Sequence, residues 1–275
     1  MKEVITSRQN PQIKSVCALE DKKERRKRGV FRFDGIKLFC DAVGRVDIES
    51  VYVREPARES VEAAIDSAVK QGNVSPDRIV YVSDGVFDKL TSESSPEGIV
   101  TVARLCIGLH KSVGKNDLCD LDGKRILIAE SLRDPGNLGT VMRSCAALGI
   151  DTLVLTDDCA DLYNPKTVRS AMGALFRLNT VTVKQSELPD VITELRRKGR
   201  SVYAAALRDN AERIGELELK EGDCFVIGNE GHGLSDKVID ACDKTAIIPM
   251  VEGNESLNAA AASVILMWEM QKANK

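Results

Sequence analysis

Three segments of this chain concentrate glycines and polar side chains where apolar sequence stops. The first, LRDPGNLGTVMRSCAALGI from Leu132, places Asn137, Gly139 and Arg143 at the mouth and first turns of a helix. Asn137 there can cap the helix by accepting an orphan amide. Arg143 falls on a helical period otherwise apolar or small, where an arginine reaches for a partner, and the plainest partner is a buried carboxylate. The second segment is Gly228-Asn229-Glu230-Gly231-His232-Gly233-Leu234-Ser235. Three glycines within six residues allow close backbone approach to a ligand and positive φ; a turn explains them, but it does not explain Glu230. In the third, Pro249 ends an apolar strand and fixes the turn, and Ser256 or Asn258 can cap the final helix. By chemical type Glu230 is a candidate base. A guanidinium, with a pKa above about 12, is a poor base and suits binding a phosphate or stabilising oxyanion charge.

Other chemistries lose ground on spacing. With no C-x-x-C pair and only His110 and His232, zinc and iron–sulfur patterns are missing and no metal is expected. Gly114-Lys115 is followed by Asn116 instead of Ser or Thr, so it is not a phosphate loop. The G-x-x-G-x-G spacing from Gly228 is not the G-x-G-x-x-G dinucleotide fingerprint. Eight singly scattered cysteines in a chain of this size read as reduced thiols.

The elements that must position these loops follow from patterning. The 275 residues, 43% hydrophobic and 29% charged, suit a globular chain of one large or two ordinary domains. With 39 basic and 42 acidic residues the net charge is −3, so contact with a nucleic acid would need a local basic patch. Glu20 to Arg28 carries six such residues and otherwise reads as a solvated helix face. Apolar strands and helices alternate through residue 107: FRFDG, IKLFCDAVG, ESVYVRE, a helix near 59–70, RIVYVS, DGVFDKLT and GIVTVAR. Residues 108–122 are polar and aperiodic, as in a linker. From residue 123 the strands RILIAES, DTLVLT, NTVTV, SVYAAAL, DCFVIGN and TAIIPM alternate with helices, which predicts α/β architecture with a parallel sheet covered on both faces. Such sheets place ligand sites in the loops after their strands, where the three segments lie. No amino-terminal apolar stretch or bilayer-length span is present in the sequence, so a cytoplasmic protein without a membrane partner is expected.

Together, Asn137-x-Gly139-x-x-x-Arg143 with Gly149, then Ile227-Gly228-Asn229-Glu230-Gly231-x-Gly233-Leu234, then Ile248-Pro249-Met250 with Ser256-Leu257-Asn258, resemble motifs one to three of the SpoU/TrmH class of the SPOUT superfamily. These are RNA 2′-O-ribose methyltransferases that use S-adenosylmethionine. The resemblance covers residues 123–275 as the catalytic domain, and Glu255 and Ala259 depart from the commonest pattern. More loosely, Thr6-Ser7-Arg8-Gln9-Asn10-Pro11, Phe33-Asp34-Gly35-x-Lys37-Leu38 and Pro96-Glu97-Gly98-Ile99 resemble the substrate-binding domain that precedes it, with an α/β/α RNA-binding fold over 1–107.

The resemblance implies a carboxy-terminal trefoil knot around a bent S-adenosylmethionine, held by Ile227, Gly228, Ile248, Met250 and Leu257. It also implies a homodimer, to which the apolar carboxy-terminal helix is suited. Arg143 matches the arginine that works on the 2′-hydroxyl, with Asn137, Glu230, Ser256 and Asn258 shaping the pocket and holding the ribose. The amino-terminal domain favours ribosomal RNA as partner over transfer RNA, by analogy. Two other readings stand beside it: a nucleotide-dependent α/β enzyme, which lacks the glycine fingerprint, and a non-catalytic ribosomal RNA-binding protein, which has no need of Asn137, Arg143 and Glu230.

Overall fold

The computed structural model describes residues 3–114, 121, 125–208, 210–251 and 256–272. In chain order the first part forms β1 (Val4–Ile5), α1 (Pro11–Cys17), α2 (Lys22–Arg28), β2 (Val30–Asp34), α3 (Ile36–Ala42), β3 (Ile48–Arg54), α4 (Arg58–Lys70), β4 (Ile79–Val82), α5 (Asp84–Leu90) and β5 (Ile99–Arg104). The rest forms β6 (His110–Ser112), β7 (Ile126–Ala129), α6 (Pro135–Leu148), β8 (Thr152–Thr156), α7 (Pro165–Ala171), β9 (Asn179–Val183), α8 (Leu188–Arg197), β10 (Val202–Ala205), β11 (Glu212–Arg213), β12 (Cys224–Ile227), α9 (Asp236–Ala241), β13 (Lys244–Ile247) and α10 (Ala259–Lys272).

The chain divides into two compact units, Met1–Cys106 with Tyr163–Phe176, and Ile107–Leu162 with Arg177–Lys275. In the first, a five-stranded sheet of order β1-β4-β3-β5-β2 is parallel from β1 to β3 and antiparallel at β5 and β2. Period-two alternation divides its faces: Val51 and Val53 pack with Phe39, Val61 and Ile65, while Tyr52 packs with Ile13, Val16 and Phe87. In the basic run, Asp21 caps α2 by accepting from the amides of Lys23 and Glu24, and Gly29 at φ 68° ends it. Arg25 is buried and donates to the carbonyls of Leu19 and Glu20, both at 2.7 Å, and Arg28 donates to Ser15 O at 2.6 Å. The run is therefore split between fold and surface, and Lys22, Lys23, Arg26 and Lys27 keep their exposure.

Tyr163–Phe176 was expected in the catalytic domain with everything after residue 123, yet it packs with the first unit. Edge strand β2 presents Phe31 and Phe33, two residues apart, and these rings need cover. Tyr163 lies 4.8 Å from Phe31 and Phe176 5.4 Å from Phe33, centroid to centroid. The Tyr163 hydroxyl also accepts from the Cys106 amide at 2.8 Å.

The second unit is an eight-stranded sheet of order β11-β13-β10-β12-β7-β8-β9-β6, parallel throughout. Its central strands ILIA, TLVLT and CFVI are buried at every residue, as continuous apolar runs should be in a sheet covered on both sides. The polar stretch read as a linker contributes β6, whose His110 pairs with Thr180. Edge pairing uses backbone groups and leaves no hydrophobic period to read. All three candidate loops leave the carboxyl ends of β7, β12 and β13.

Candidate active site

Helix α6 is capped by Asp134, whose side chain accepts from the Asn137 amide at 2.8 Å, with Pro135 at its first position and Gly149 at φ 70° closing it. The capping role open to Asn137 is thus filled by another residue, and its side chain is free for other bonds. Asn137 Nδ2 donates to Glu230 Oε1 at 3.0 Å, and Asn137 Oδ1 accepts from Asn258 Nδ2 at 3.0 Å. One amide therefore bridges the second and third loops, using its donor toward one and its acceptor toward the other. Asn258 also caps α10, accepting from the amides of Ala260 at 3.0 Å and Ala261 at 3.3 Å. Glu230 Oε1 receives the Asp134 amide as well, at 3.4 Å.

A cleft of about 470 Å³ opens at the carboxyl ends of β10, β12 and β13. Ile227, Gly228, Ile248, Met250 and Leu257 all line it, and so do Glu230 and Ser256. Arg208 and His232 are the basic side chains among the described residues that line it. Arg143 stands apart from the cleft. It is exposed on the face of α6 that also shows Thr140 and Ala147, and it forms no ion pair or hydrogen bond among the described residues. The buried ion pair that would have explained it is not there. Glu255 lies outside the described residues.

The three glycines of the second loop serve different ends. A Cβ on Gly228 would sit 2.2 Å from the Gly233 carbonyl carbon and 2.4 Å from the Leu234 nitrogen, so it is the loop's own return that excludes a side chain. Gly233 alone of the three has positive φ, at 68°. Asn229 closes the loop: its backbone exchanges hydrogen bonds with Gly233 at 3.0 and 2.9 Å, and its Oδ1 accepts from the amides of Gly231 and His232.

Further residues went unremarked in the sequence, because a strand end followed by a polar residue looks ordinary. Asn229 Nδ2 donates to Ser131 O at 2.8 Å. Ser131 holds φ 55°, an unfavourable conformation for a non-glycine residue. Its amide donates to Thr156 Oγ1 at 2.8 Å and its hydroxyl to Asp158 Oδ2 at 2.6 Å. Burial works to raise the Asp158 carboxyl, but hydrogen bonds from Ser131, Thr156 and Arg133 outweigh it and hold the group below its ordinary range. Glu130, 2% exposed, accepts from Ser235 N at 2.9 Å, Ser235 Oγ at 2.7 Å and Gln185 Nε2 at 2.9 Å. Burial pushes the Cys224 thiol up to about 11 and that of Cys242 up to about 12, away from the thiolate that nucleophilic chemistry uses.

The family model described as SpoU rRNA Methylase family matches residues 124–268, and an MRM3-like substrate binding domain matches residues 10–101. A curated relative, the 23S rRNA (guanosine(2553)-2′-O)-methyltransferase of Bacillus subtilis strain 168, is 29% identical over 97% of this chain and 98% of its own. Among solved structures, an RNA 2′-O ribose methyltransferase superposes with TM-score 0.81 at 25% identity, covering 99% of both chains. An AdoMet-bound rRNA methyltransferase from Sinorhizobium meliloti gives 0.79 at 25% identity, over 98% of this chain and 97% of that one.

The packing of Gly228 gives a direct test. Gly228→Ala must open the return of the 228–234 loop, at a cost of about 1–3 kcal/mol for overpacking. Faster amide exchange across Gly231–Leu234 is expected; unchanged exchange and an unchanged melting temperature would contradict the closed loop.

Proposed function

The chain belongs to the SpoU rRNA methylase family, and from that membership we propose how its residues divide the work of methyl transfer. The activity is transfer of a methyl group from S-adenosylmethionine to a ribose 2′-hydroxyl of ribosomal RNA. The single observation that carries the assignment of residues is the hydrogen-bonded series Glu230–Asn137–Asn258, which begins in the cleft wall and ties all three loops together.

The cleft fits the methyl donor. Its volume lies within the roughly 300–1,000 Å³ of small-molecule sites, and its walls combine apolar side chains with loop backbone. Ile227, Leu234, Ile248, Met250 and Leu257 supply apolar contact, and the tight loop at Gly228 presents backbone groups. When bound there, the donor supplies an electrophilic methyl carbon on a sulfonium centre. The protein's own task is to align a ribose oxygen with that carbon and to manage the charge and proton of the oxygen. Arg143 binds an RNA phosphate and stabilises negative charge developing on the 2′-oxygen, a role suited to an exposed guanidinium without a protein partner. The proton passes to phosphate or water. Glu230 Oε1 already accepts two hydrogen bonds, so Glu230 orients Asn137 and, with Ser256 and Asn258, holds the ribose.

Finer features belong to the same reading. Residues Met1–Cys106 form the core of an RNA-binding domain whose contact patch is Lys22, Lys23, Arg26 and Lys27, exposed on a helix that Arg25 and Arg28 anchor. The methyltransferase domain follows it, with β6 at the edge of its sheet. The protein is a homodimer: Ala261, Val264 (38% exposed) and Trp268 (52%) recur at helical spacing as an exposed stripe on α10, and a second copy would cover this stripe. A carboxy-terminal trefoil knot is supported by the order of elements, since β13 lies outside β10 while α10, the next element, packs on α6. We place the protein in the cytoplasm, with its ribosomal substrate.

Each assignment has its own measurement. Arg143→Ala abolishes tritiated-methyl transfer to ribosomal RNA while calorimetry still shows donor binding; retained turnover would remove Arg143 from the reaction. Replacing Lys22, Lys23, Arg26 and Lys27 with alanine weakens RNA binding and lowers the slope of log K against log salt by about 3, whereas an unchanged slope would place the patch elsewhere. Trp268→Glu shifts the species seen in analytical ultracentrifugation from dimer to monomer; a wild-type monomer, or a dimer indifferent to this change, would refute the stripe as the contact.

A further inference from the structure

Beyond the motif residues, the chain has one buried carboxylate beneath the cleft that the proposed mechanism leaves without a task. Glu130 is the first residue after β7, lies 2% exposed, and does not line the cleft. No lysine or arginine among the described residues pairs with it. Its two oxygens are met instead by three donors: Ser235 N on Oε2, and Ser235 Oγ and Gln185 Nε2 on Oε1. A buried acceptor-only group matched by three donors is satisfied as it stands, and an apolar side chain at the same position would leave those donors unpaired.

What those bonds hold is the far end of the loop that forms the cleft wall. Glu230, Gly231, His232 and Gly233 are all exposed, so this loop takes little of its position from packing. It is tied at one end by Asn229 Nδ2 to Ser131 O and at the other by Ser235 to Glu130. Both ties end on consecutive residues, Glu130 and Ser131, and Ser131 sits at an unfavourable φ that its bonds to Thr156 and Asp158 maintain. The residue after Ser235, Asp236, pairs with Arg208, and Arg208 lines the wall of the cleft that follows β10. Displacing Ser235 therefore disturbs two walls of the cleft.

We infer that Glu130 is a positioning residue, which fixes Ser235 and through it the register of the 228–235 loop against the methyl donor. The inference rests on the reading of the cleft as the donor site. Glu130 touches neither donor nor RNA, and its effect falls on donor affinity more than on the chemical step. Gln185 is its partner in this role. A glutamine at position 130 keeps the arrangement: its carbonyl accepts from Ser235 N, and its amide donates to Ser235 Oγ and to Gln185 Oε1 once the Gln185 amide turns over.

The experiment compares wild type, Glu130→Leu and Glu130→Gln as full-length protein. Three readouts are taken: donor affinity by calorimetry, amide exchange of residues 229–235 without donor, and KM against kcat on ribosomal RNA. Glu130→Leu weakens donor binding about tenfold, raises KM for the donor by the same factor, leaves kcat within about twofold, and speeds exchange across Gly231–Ser235. Glu130→Gln, which can keep all three bonds, holds affinity and exchange to within about threefold of wild type. Wild-type affinity and exchange in Glu130→Leu, with or without a lowered melting temperature, would overturn the inference, as would a Glu130→Gln variant no better than Glu130→Leu. Failure of the wild type itself to bind the donor would instead refute the cleft as donor site.

Discussion

The site depends on one constraint: loops leaving the carboxyl ends of a parallel sheet carry polar groups that must find partners, and here they find them in one another. Asn137 spends its donor on Glu230 and its acceptor on Asn258, so neither the second nor the third loop can move without leaving an amide group unpaired. The same logic operates one layer down, where Ser131 and Glu130 hold Asn229 and Ser235. Because a neutral hydrogen bond contributes only about 1 kcal/mol net, the rigidity comes from the closed arrangement of these bonds more than from any single one.

That closure explains a division of labour on the strands and helices around it. The apolar strands are buried on both faces and contribute shape, while their terminal residues contribute the polar groups. Helix α6 begins with a dedicated cap, Asp134, and so releases Asn137 for the bridge. Helix α10 is capped by Asn258, which performs capping and bridging at once because its amide has both an acceptor and donors. Arg143, in the third turn of α6, is left facing solvent.

Much of this was legible in the sequence. The continuous apolar strands announced a parallel sheet, and the residues expected to hold the donor all line a single cleft. Asn137, Glu230 and Asn258 stood out because their types were in excess of what turns need, although their mutual bonds could not be read from spacing. Other features were hidden for physical reasons. Glu130 looks like any polar residue closing a strand, since its burial depends on Ser235 more than a hundred positions away. The return of the loop onto Gly228 could not be read from glycine spacing, since it depends on Gly233 and Leu234 folding back against it. Strand β6 has no hydrophobic period because it pairs at an edge of the sheet, where ladder bonds come from the backbone. Tyr163–Phe176 departs from its sequence neighbours because Phe31 and Phe33 need covering rings, a contact between residues 130 or more positions apart. In the basic run, Arg25 and Arg28 are committed to backbone carbonyls, a distinction that composition cannot make.

The central claim is that this fold delivers a methyl group to a sugar oxygen of ribosomal RNA. Unmodified ribosomal RNA incubated with the purified protein and S-adenosylmethionine, then digested to nucleosides and analysed by mass spectrometry, tests it most directly. A single new 2′-O-methylnucleoside, with the added 14 mass units on the ribose fragment, is the expected product. Methylation confined to a base, or no methylation at all by protein shown to bind the donor, would contradict the account.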